Sequence, residues 1–172
     1  PYDAGFLLVR DSDAHKRAFA QPAAYLQRSG RGLAAGETWP CDLGPDLSRG
    51  FRALKTWMTI ETLGSERMGN AIARTCELAR YLAASLARDP RFEVKAPVGL
   101  NIVCFGIRGA DDGFIRDLVL DLHEQGLAVP SWTTLQGELV VRCAIVNHRT
   151  TSEDIDVFLK ILTDYLDRYP RA

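Results

Sequence analysis

Short apolar runs of strand length alternate with amphipathic helical patterns in the second half of the chain, from about residue 90 onward. Two strands, FEVKAP and LNIVCFGIRG, come first; a helix over ADDGFIRDLVLDLHEQG, a hairpin flanking Gly137 and a terminal helix over TTSEDIDVFLKILTDYLDRY follow. Strands that succeed one another closely pair in an antiparallel sheet, and amphipathic helices bury their apolar stripes against one face of it. This part of the chain is therefore predicted to be α+β, with a mostly antiparallel sheet packed on helices.

Two longer helical patterns precede this sheet. In LSRGFRALKTWMTIETLG the apolar side chains cover more than one face, which predicts a well-buried helix that ends at Gly64. The next helix, capped by Ser65, keeps apolar residues at steps of three and four and stops before Pro90. In the terminal helix of the chain, Thr150 and Glu153 have the spacing of a capping box.

The first 50 residues contain one apolar run and one long segment without periodicity. Residues 5–10, with the apolar run at residues 6–9, predict a short, fully buried strand, and Asp11 or Asp13 is placed to cap a short helix after it. From about residue 21 to residue 46 the chain is rich in Gly and Pro. Structureless segments of this length in compact domains are usually functional lids or disordered segments. By composition alone, a solvated linker between two domains fits equally well.

Composition and charge exclude several classes of function. The net charge of −1 gives no strong attraction to nucleic acid or to an anionic membrane. No apolar run approaches the roughly 20 residues that span a bilayer. The four cysteines form no C-x-x-C pair and only three His are present, so no metal site is predicted. Cys76, Cys104 and Cys143 lie among apolar neighbours and are predicted to be buried thiols, which fits a reducing cytoplasm.

The residues alone predict no catalytic constellation. The pair His15–Lys16 lies on a charged, capped helix, and we interpret it as a solvated surface. Arg49, Arg52 and Lys55 form a basic stripe at helical spacing. A stripe of this kind on a chain without a basic net charge is interpreted as a solvated or ion-paired helix face.

Four blocks of the chain carry a resemblance to a known family. At the start, Tyr2, Asp3, Ala4, Leu7 and Arg10 supply in order an apolar residue, any residue, a small residue, a second apolar residue and a base. LSRGFRALKTWMTIETLG, LARDPRFEV with NIVCFGIRG, and VVRCAIVNHRTTSEDID follow. Together they resemble the pyridoxal-phosphate-dependent group II decarboxylases, which include the aromatic amino acid, histidine and glutamate decarboxylases. The resemblance spans nearly the whole chain.

The resemblance implies a domain organisation and a cofactor. Residues 1–50 correspond to the end of an aminotransferase-like (fold type I) large domain, with a mobile loop over about residues 21–46. Residues 51–172 correspond to the small C-terminal domain with its connecting helices. The cofactor is pyridoxal 5'-phosphate, and the family's Schiff-base lysine falls a few residues upstream of Pro1. No cofactor-binding residue is therefore assigned in this chain, and we expect the chain alone to be inactive. Family members are obligate homodimers with the active site at the subunit interface.

Two positions receive a role from the resemblance. FAQPAAYL matches a family loop with one extra residue and places Tyr25 on the tyrosine implicated in protonating the carbanion left after CO2 departs. A loop aromatic that merely packs is the alternative for Tyr25. Ser48 corresponds to a residue that lines the substrate's side-chain pocket, and equally fits the N-cap of a helix from Arg49 onward. Gly50 departs from the arginine that the family usually has.

The function implied is removal of the carboxylate of an L-amino acid, aromatic or similar, to give an amine and CO2. Relatives that form aldehydes replace the loop tyrosine, so Tyr25 favours plain decarboxylation. An aldehyde-forming relative remains one alternative. A non-catalytic α+β binding or dimerisation module, judged on residues 90–172 alone, is the other.

Overall fold

The computed structural model of the chain describes residues 4–19, 29–32, 35–36 and 38–169. The chain divides into two compact units, Pro1–Gly64 and Ser65–Ala172, which we call the N-terminal and the C-terminal unit. The predicted domain boundary after residue 50 is not tested by this division and stays a prediction. The N-terminal unit contains helix α1 (Ser12–Phe19), a 3-10 helix (Pro40–Leu43) and helix α2 (Arg52–Leu63). The C-terminal unit contains α3 (Ser65–Leu86), β1 (Phe92–Val94), β2 (Ile102–Ile107), α4 (Asp112–Glu124), β3 (Ser131–Leu135), β4 (Glu138–Ala144) and α5 (Ser152–Arg168).

The four strands of the C-terminal unit form one antiparallel sheet in the order β1-β2-β4-β3. The connection from β3 to β4 turns at Gln136 and Gly137, which both have positive φ, 52° and 87°. Two consecutive residues of this kind form the turn whose twist matches that of paired strands. The hairpin predicted around Gly137 is thereby confirmed.

Helices α3, α4 and α5 cover one face of this sheet. Alternate strand residues, such as Val103 paired with Cys143 and Phe105 paired with Val141, point to that face because side chains alternate along a strand. With the helices they form a single buried core that includes Leu82, Leu86, Val103, Phe105, Ile115, Leu118, Leu122, Val141 and Leu162. The prediction of an α+β unit with helices on one face of an antiparallel sheet is confirmed.

Two details of the C-terminal unit differ from the prediction. The capping box of α5 consists of Thr151 and Asp154, one residue after the predicted pair. Thr151 N–H donates to Asp154 Oδ2 at 2.9 Å, and Asp154 N–H donates to Thr151 Oγ1 at 3.3 Å. Cys104 is only half-buried, because it pairs with Arg142 on the face of the sheet opposite the core. Cys143 is buried as predicted, and desolvation raises the pKa of its thiol to about 12.

The N-terminal unit begins with an exposed segment where a buried strand was predicted. Residues 4–9 form no strand, and the side chain of Leu8 is 97% exposed. A strand requires a hydrogen-bonding neighbour, and the four described strands pair only with one another. The prediction for residues 6–9 is therefore wrong for this chain. The capping prediction for α1 is confirmed at Asp11, whose Oδ1 accepts from Asp13 N–H at 3.1 Å and Ala14 N–H at 2.9 Å.

Helix α2 is shorter and more exposed than predicted. It begins at Arg52, and it ends as expected at Gly64, which has φ of 78° and donates its N–H to Ile60 O at 2.8 Å. No residue of α2 is buried, and Trp57 is 59% exposed. The prediction of a well-buried helix is wrong for this chain, since periodicity reports which faces are apolar and not which part of a protein covers them.

Candidate functional site

A cavity of about 970 Å³ lies within the N-terminal unit. Its wall is formed by Gly5, by the start of the 3-10 helix and by the whole segment that leads into α2. The wall combines the aromatic residues Trp39 and Phe51 with the polar residues Ser48 and Arg49. Apolar surface with a few placed polar groups is the usual composition of a small-molecule site.

The 3-10 helix at the edge of this cavity is closed by Trp39 and Asp42. Trp39 N–H donates to Asp42 Oδ2 at 2.8 Å, and Asp42 N–H donates back to Trp39 O at 3.0 Å. Pro40 occupies the first helical position, where a missing N–H costs nothing. The sequence WPCD therefore fixes a tight turn that holds the backbone of Trp39 at the cavity wall.

Two side chains from other segments donate hydrogen bonds to carbonyl groups of the same turn. Arg49 Nη2 donates to Pro40 O at 3.2 Å. His15 Nε2 lies 3.1 Å from Leu43 O, and because a carbonyl only accepts, the imidazole is the donor. Gly44 is buried beside the arginine, where a methyl group would lie 2.6 Å from Arg49 Nη2.

These contacts correct two predictions about surface residues. His15 is half-buried, donates to Leu43 O and meets the ring of Phe19 edge-on at 5.4 Å, so it has specific contacts and is not fully solvated. Arg49 precedes α2, so it does not share a helical stripe with Arg52 and Lys55. The three basic residues have helical spacing in the sequence, but Arg49 lies before the first residue of α2, so the three side chains do not lie on one helix face.

Ser48 is exposed and forms part of the cavity wall. It is not the N-cap of the following helix, because α2 begins at Arg52 with Phe51 in the N-cap position. Gly50 explains the late start, since glycine is a poor helix former and the backbone turns there, with Arg52 N–H donating to Gly50 O at 2.8 Å. The capping alternative is therefore wrong, and the substrate-lining role stays a prediction.

Tyr25, the predicted proton donor, lies outside the described residues. Its role stays a prediction. Sequence reasoning also missed the parts of the wall contributed by Trp39 and Cys41. A signal for the turn was present, because Trp39 is followed by a proline and then by an acidic residue at the third helical position.

A second cavity, of about 380 Å³, lies in the C-terminal unit and is lined by charged residues. Lys95 Nζ lies 2.8 Å from Glu138 Oε2 and 3.1 Å from Glu93 Oε2, and Arg108 lies 3.8 Å from Glu93. Hydrogen bonds to Glu138 and Glu93 raise the pKa of Lys95, and the hydrogen bond from Lys95 lowers the pKa of Glu93. The charges satisfy one another, which is typical of a structural ion-pair cluster.

Over the residues that the structure describes, the larger cavity contains neither a metal site nor the amine for a Schiff base, and Lys95 of the smaller cavity is ion-paired with Glu93 and Glu138. Among the described residues, no cluster of His, Cys, Asp or Glu is arranged to hold a metal ion. No lysine belongs to the wall of the larger cavity. This wall therefore does not supply the group that would bond to an aldehyde cofactor. No helix in the described part of the chain is both long and apolar enough to cross a membrane.

Comparison with known proteins gives a consistent set of matches. The family model described as the pyridoxal-dependent decarboxylase conserved domain matches residues 1–108. An aromatic-L-amino-acid decarboxylase of Bacillus atrophaeus is 31% identical over 169 residues, which are 94% of this chain and 35% of the relative. A histidine decarboxylase of Drosophila melanogaster is 36% identical over 157 residues, 90% of this chain and 18% of the relative.

A solved structure with the same fold belongs to an aldehyde-forming enzyme. The crystal structure of Rhodiola rosea 4-hydroxyphenylacetaldehyde synthase superposes with a TM-score of 0.67 and 26% identity, covering 74% of this chain and 28% of that one. The chain thus spans about a third or less of the length of these relatives. The matches include proteins named as amino acid decarboxylases and one named as an aldehyde synthase.

Proposed function

Because this chain belongs to the pyridoxal-dependent decarboxylase family, we propose that it is part of a longer lyase that converts an L-amino acid to an amine and CO2. The family match over residues 1–108 confirms the predicted resemblance and, with it, pyridoxal phosphate as the cofactor. When bound, that cofactor supplies the electron sink for cleavage of the carboxylate bond. The proposed part of this chain is to line the substrate pocket rather than to hold the cofactor.

The observation that carries this proposal is the cavity in the N-terminal unit. Trp39 and Phe51 offer aromatic surface, and Ser48 adds a hydroxyl to the same wall. Aromatic walls accept a flat ring, and a single hydroxyl can exchange a hydrogen bond with a polar atom on that ring. A substrate with a phenol, indole or imidazole side chain fits this chemistry. The names of the relatives, aromatic-L-amino-acid and histidine decarboxylase, support the same substrate class.

Tyr25 is the proposed proton donor that completes amine formation. A phenol serves as an acid when a lid brings it within hydrogen-bond reach and excludes water. In aldehyde-forming members of the family this tyrosine is replaced, so its presence here favours the amine as product. The proposed enzyme is a homodimer, as expected from the resemblance, and it is cytoplasmic, as expected from its free thiols.

Aldehyde formation is the second candidate, favoured by the structural match to 4-hydroxyphenylacetaldehyde synthase. The products separate the two reactions, because oxidative decarboxylation consumes O2 and releases ammonia and hydrogen peroxide with the aldehyde. A non-catalytic module is disfavoured, since the family match begins at residue 1 and includes the N-terminal unit.

The test is a product assay on the full-length protein, loaded with pyridoxal phosphate, with L-tyrosine, L-tryptophan, L-histidine and L-phenylalanine. We expect equal amounts of amine and CO2 and no peroxide. Tyr25→Phe should abolish amine formation while cofactor absorbance is retained, and Tyr169→Phe is the matched control on an exposed tyrosine. Peroxide and ammonia from the unmodified enzyme would establish the aldehyde reaction, and unchanged turnover of Tyr25→Phe would remove Tyr25 from the mechanism.

A further inference from the structure

We infer that Arg49 is a positioning residue for the substrate pocket: its guanidinium ties the Ser48 segment to the 3-10 turn and so fixes the hydroxyl of Ser48 in the pocket wall. This inference rests on the proposed function for the role of the pocket, and on the contacts of Arg49 for the mechanism. Arg49 is adjacent to Ser48 in the chain, so holding one fixes the backbone of the other.

The anchor is the carbonyl of Pro40, nine residues before the arginine. Arg49 Nη2 donates to Pro40 O at 3.2 Å, which joins the two halves of the cavity wall. The turn that carries this carbonyl is itself closed by the reciprocal hydrogen bonds of Trp39 and Asp42. A side chain that is tethered to a braced turn is a better anchor than one tethered to a loose loop, because less motion remains after the bond forms.

Gly44 provides the space that the guanidinium occupies. A methyl group at residue 44 would lie 2.6 Å from Arg49 Nη2, so an alanine there is compatible only with a displaced arginine. The backbone of Gly44 is fully extended, with φ of −175°, a conformation that any residue adopts. The glycine is therefore explained by the close approach of Arg49 and not by backbone geometry.

The segment before α2 is not held by regular secondary structure. Ser48 and Gly50 lie outside any helix or strand, and Ser48 is exposed. A serine hydroxyl on such a segment contributes to substrate selection only if its position is fixed to within a fraction of an ångström. The contact from Arg49 to Pro40 supplies a restraint at the neighbouring residue.

The first arm of the test measures the tether without relying on activity. Cys41 lies in the braced turn, half-buried and in the cavity wall. In the full-length protein, Arg49→Gln and Gly44→Ala should each increase the rate of Cys41 alkylation by iodoacetamide by about threefold or more, read by mass spectrometry. Gly30→Ala is the matched control, since a methyl group there meets nothing within 4 Å. Unchanged alkylation in both variants would overturn the tether.

The second arm measures substrate selection. The measured quantity is kcat/KM for the preferred substrate with a polar ring, divided by kcat/KM for L-phenylalanine. Ser48→Ala and Arg49→Gln should each lower this ratio by about three- to tenfold, the value of one hydrogen bond. In the double variant the two effects should not add, because both remove the same contact.

The outcomes separate this inference from the proposed function. A full-length protein that decarboxylates none of the amino acids overturns the proposed function, and the alkylation arm still decides the tether. An active enzyme whose ratio responds to Ser48→Ala but not to Arg49→Gln overturns the positioning role of Arg49. Additive losses in the double variant overturn it as well, because Arg49 would then act on something other than Ser48. Arg80→Gln, which removes an exposed guanidinium from α3, is the control for the loss of a positive charge.

Discussion

The two units of the chain have apolar side chains of the same kinds, but one unit buries them and the other exposes them. In the C-terminal unit Phe105 is completely buried between the sheet and the helices. In the N-terminal unit Phe51 is 74% exposed, and within the described part of the chain no residue of α2 is buried. An apolar pattern therefore indicates which surface is to be covered, whereas the residues that cover it depend on the whole protein. For the N-terminal unit, we propose that other parts of the longer enzyme cover the exposed apolar residues.

The largest expected effect comes from removing the same ring in each unit. Phe105→Ala should lower the free energy of unfolding by about 3–5 kcal/mol, because it deletes a fully buried ring and leaves a cavity. Phe51→Ala should change it by less than about 0.5 kcal/mol in the 172-residue chain, since the ring is already in water. Urea denaturation followed by far-UV circular dichroism measures both.

The contrast between a buried and an exposed phenylalanine would be wrong if the two variants lost similar amounts of stability. A large loss for Phe51→Ala in this chain would mean that the ring is buried in solution and that the N-terminal unit has a core of its own. The same substitution in the full-length enzyme is the complementary control. There we expect a loss, because the proposed enzyme covers the surface that this chain exposes.

Sequence patterns predicted the C-terminal unit well because its helices and strands bury their apolar residues in one core that lies within the unit itself. The hairpin follows from the glycine at residue 137. The central pairing of β2 with β4 joins strands that are separated by α4 and β3, and the sequence did not predict it. The capping box of α5 was placed one residue early because two threonines stand side by side and each has an acid three residues later. When two positions fit the capping pattern equally well, only the hydrogen bonds in the structure show which one is the cap.

The site was predictable only in part. Ser48 was located by family resemblance, and the structure adds that it lies in a cavity wall. The contact of Arg49 could not be predicted, because nothing in the sequence LSRGFR indicates that Arg49 donates to the carbonyl of Pro40, nine residues earlier. Residues 6–9 were misread for a related reason, since a strand is defined by its neighbour and the sequence does not say where that neighbour is.

A partly buried hydrogen bond in the C-terminal unit should give the next largest effect. Tyr165 OH donates to Asp121 Oδ2 at 2.7 Å and joins α5 to α4. Tyr165→Phe should lower the free energy of unfolding at pH 7 by about 1–2 kcal/mol, the value of a hydrogen bond to a charged acceptor at a partly exposed site. Asp121→Asn in the Tyr165→Phe background should add little, because the bond is already lost.

The same tyrosine makes stability depend on alkaline pH. Burial, with the hydrogen bond and charge of Asp121, raises the pKa of Tyr165 above its ordinary value of 10.0. The folded state then keeps a proton that the unfolded state releases, so this stabilisation is complete below pH 10 and is lost as pH rises further. Between pH 10 and pH 11 the unmodified chain should lose stability faster than Tyr165→Phe. Equal slopes for the two proteins would show that the hydroxyl is exposed in solution.

The smallest expected changes in stability come from removing one helix cap in each unit. Thr151→Ala removes the side-chain acceptor for Asp154 N–H at the start of α5, and it should lower the free energy of unfolding by about 1 kcal/mol. Asp11→Ala removes an equivalent acceptor for Asp13 N–H and Ala14 N–H at the start of α1. Because α1 buries no residue, its loss should change the main unfolding transition by less than about 0.5 kcal/mol and appear instead as faster amide exchange within α1. If Asp11→Ala lowered the main transition as much as Thr151→Ala does, the two units would unfold as one, and the contrast between a self-sufficient C-terminal unit and a dependent N-terminal unit would be wrong.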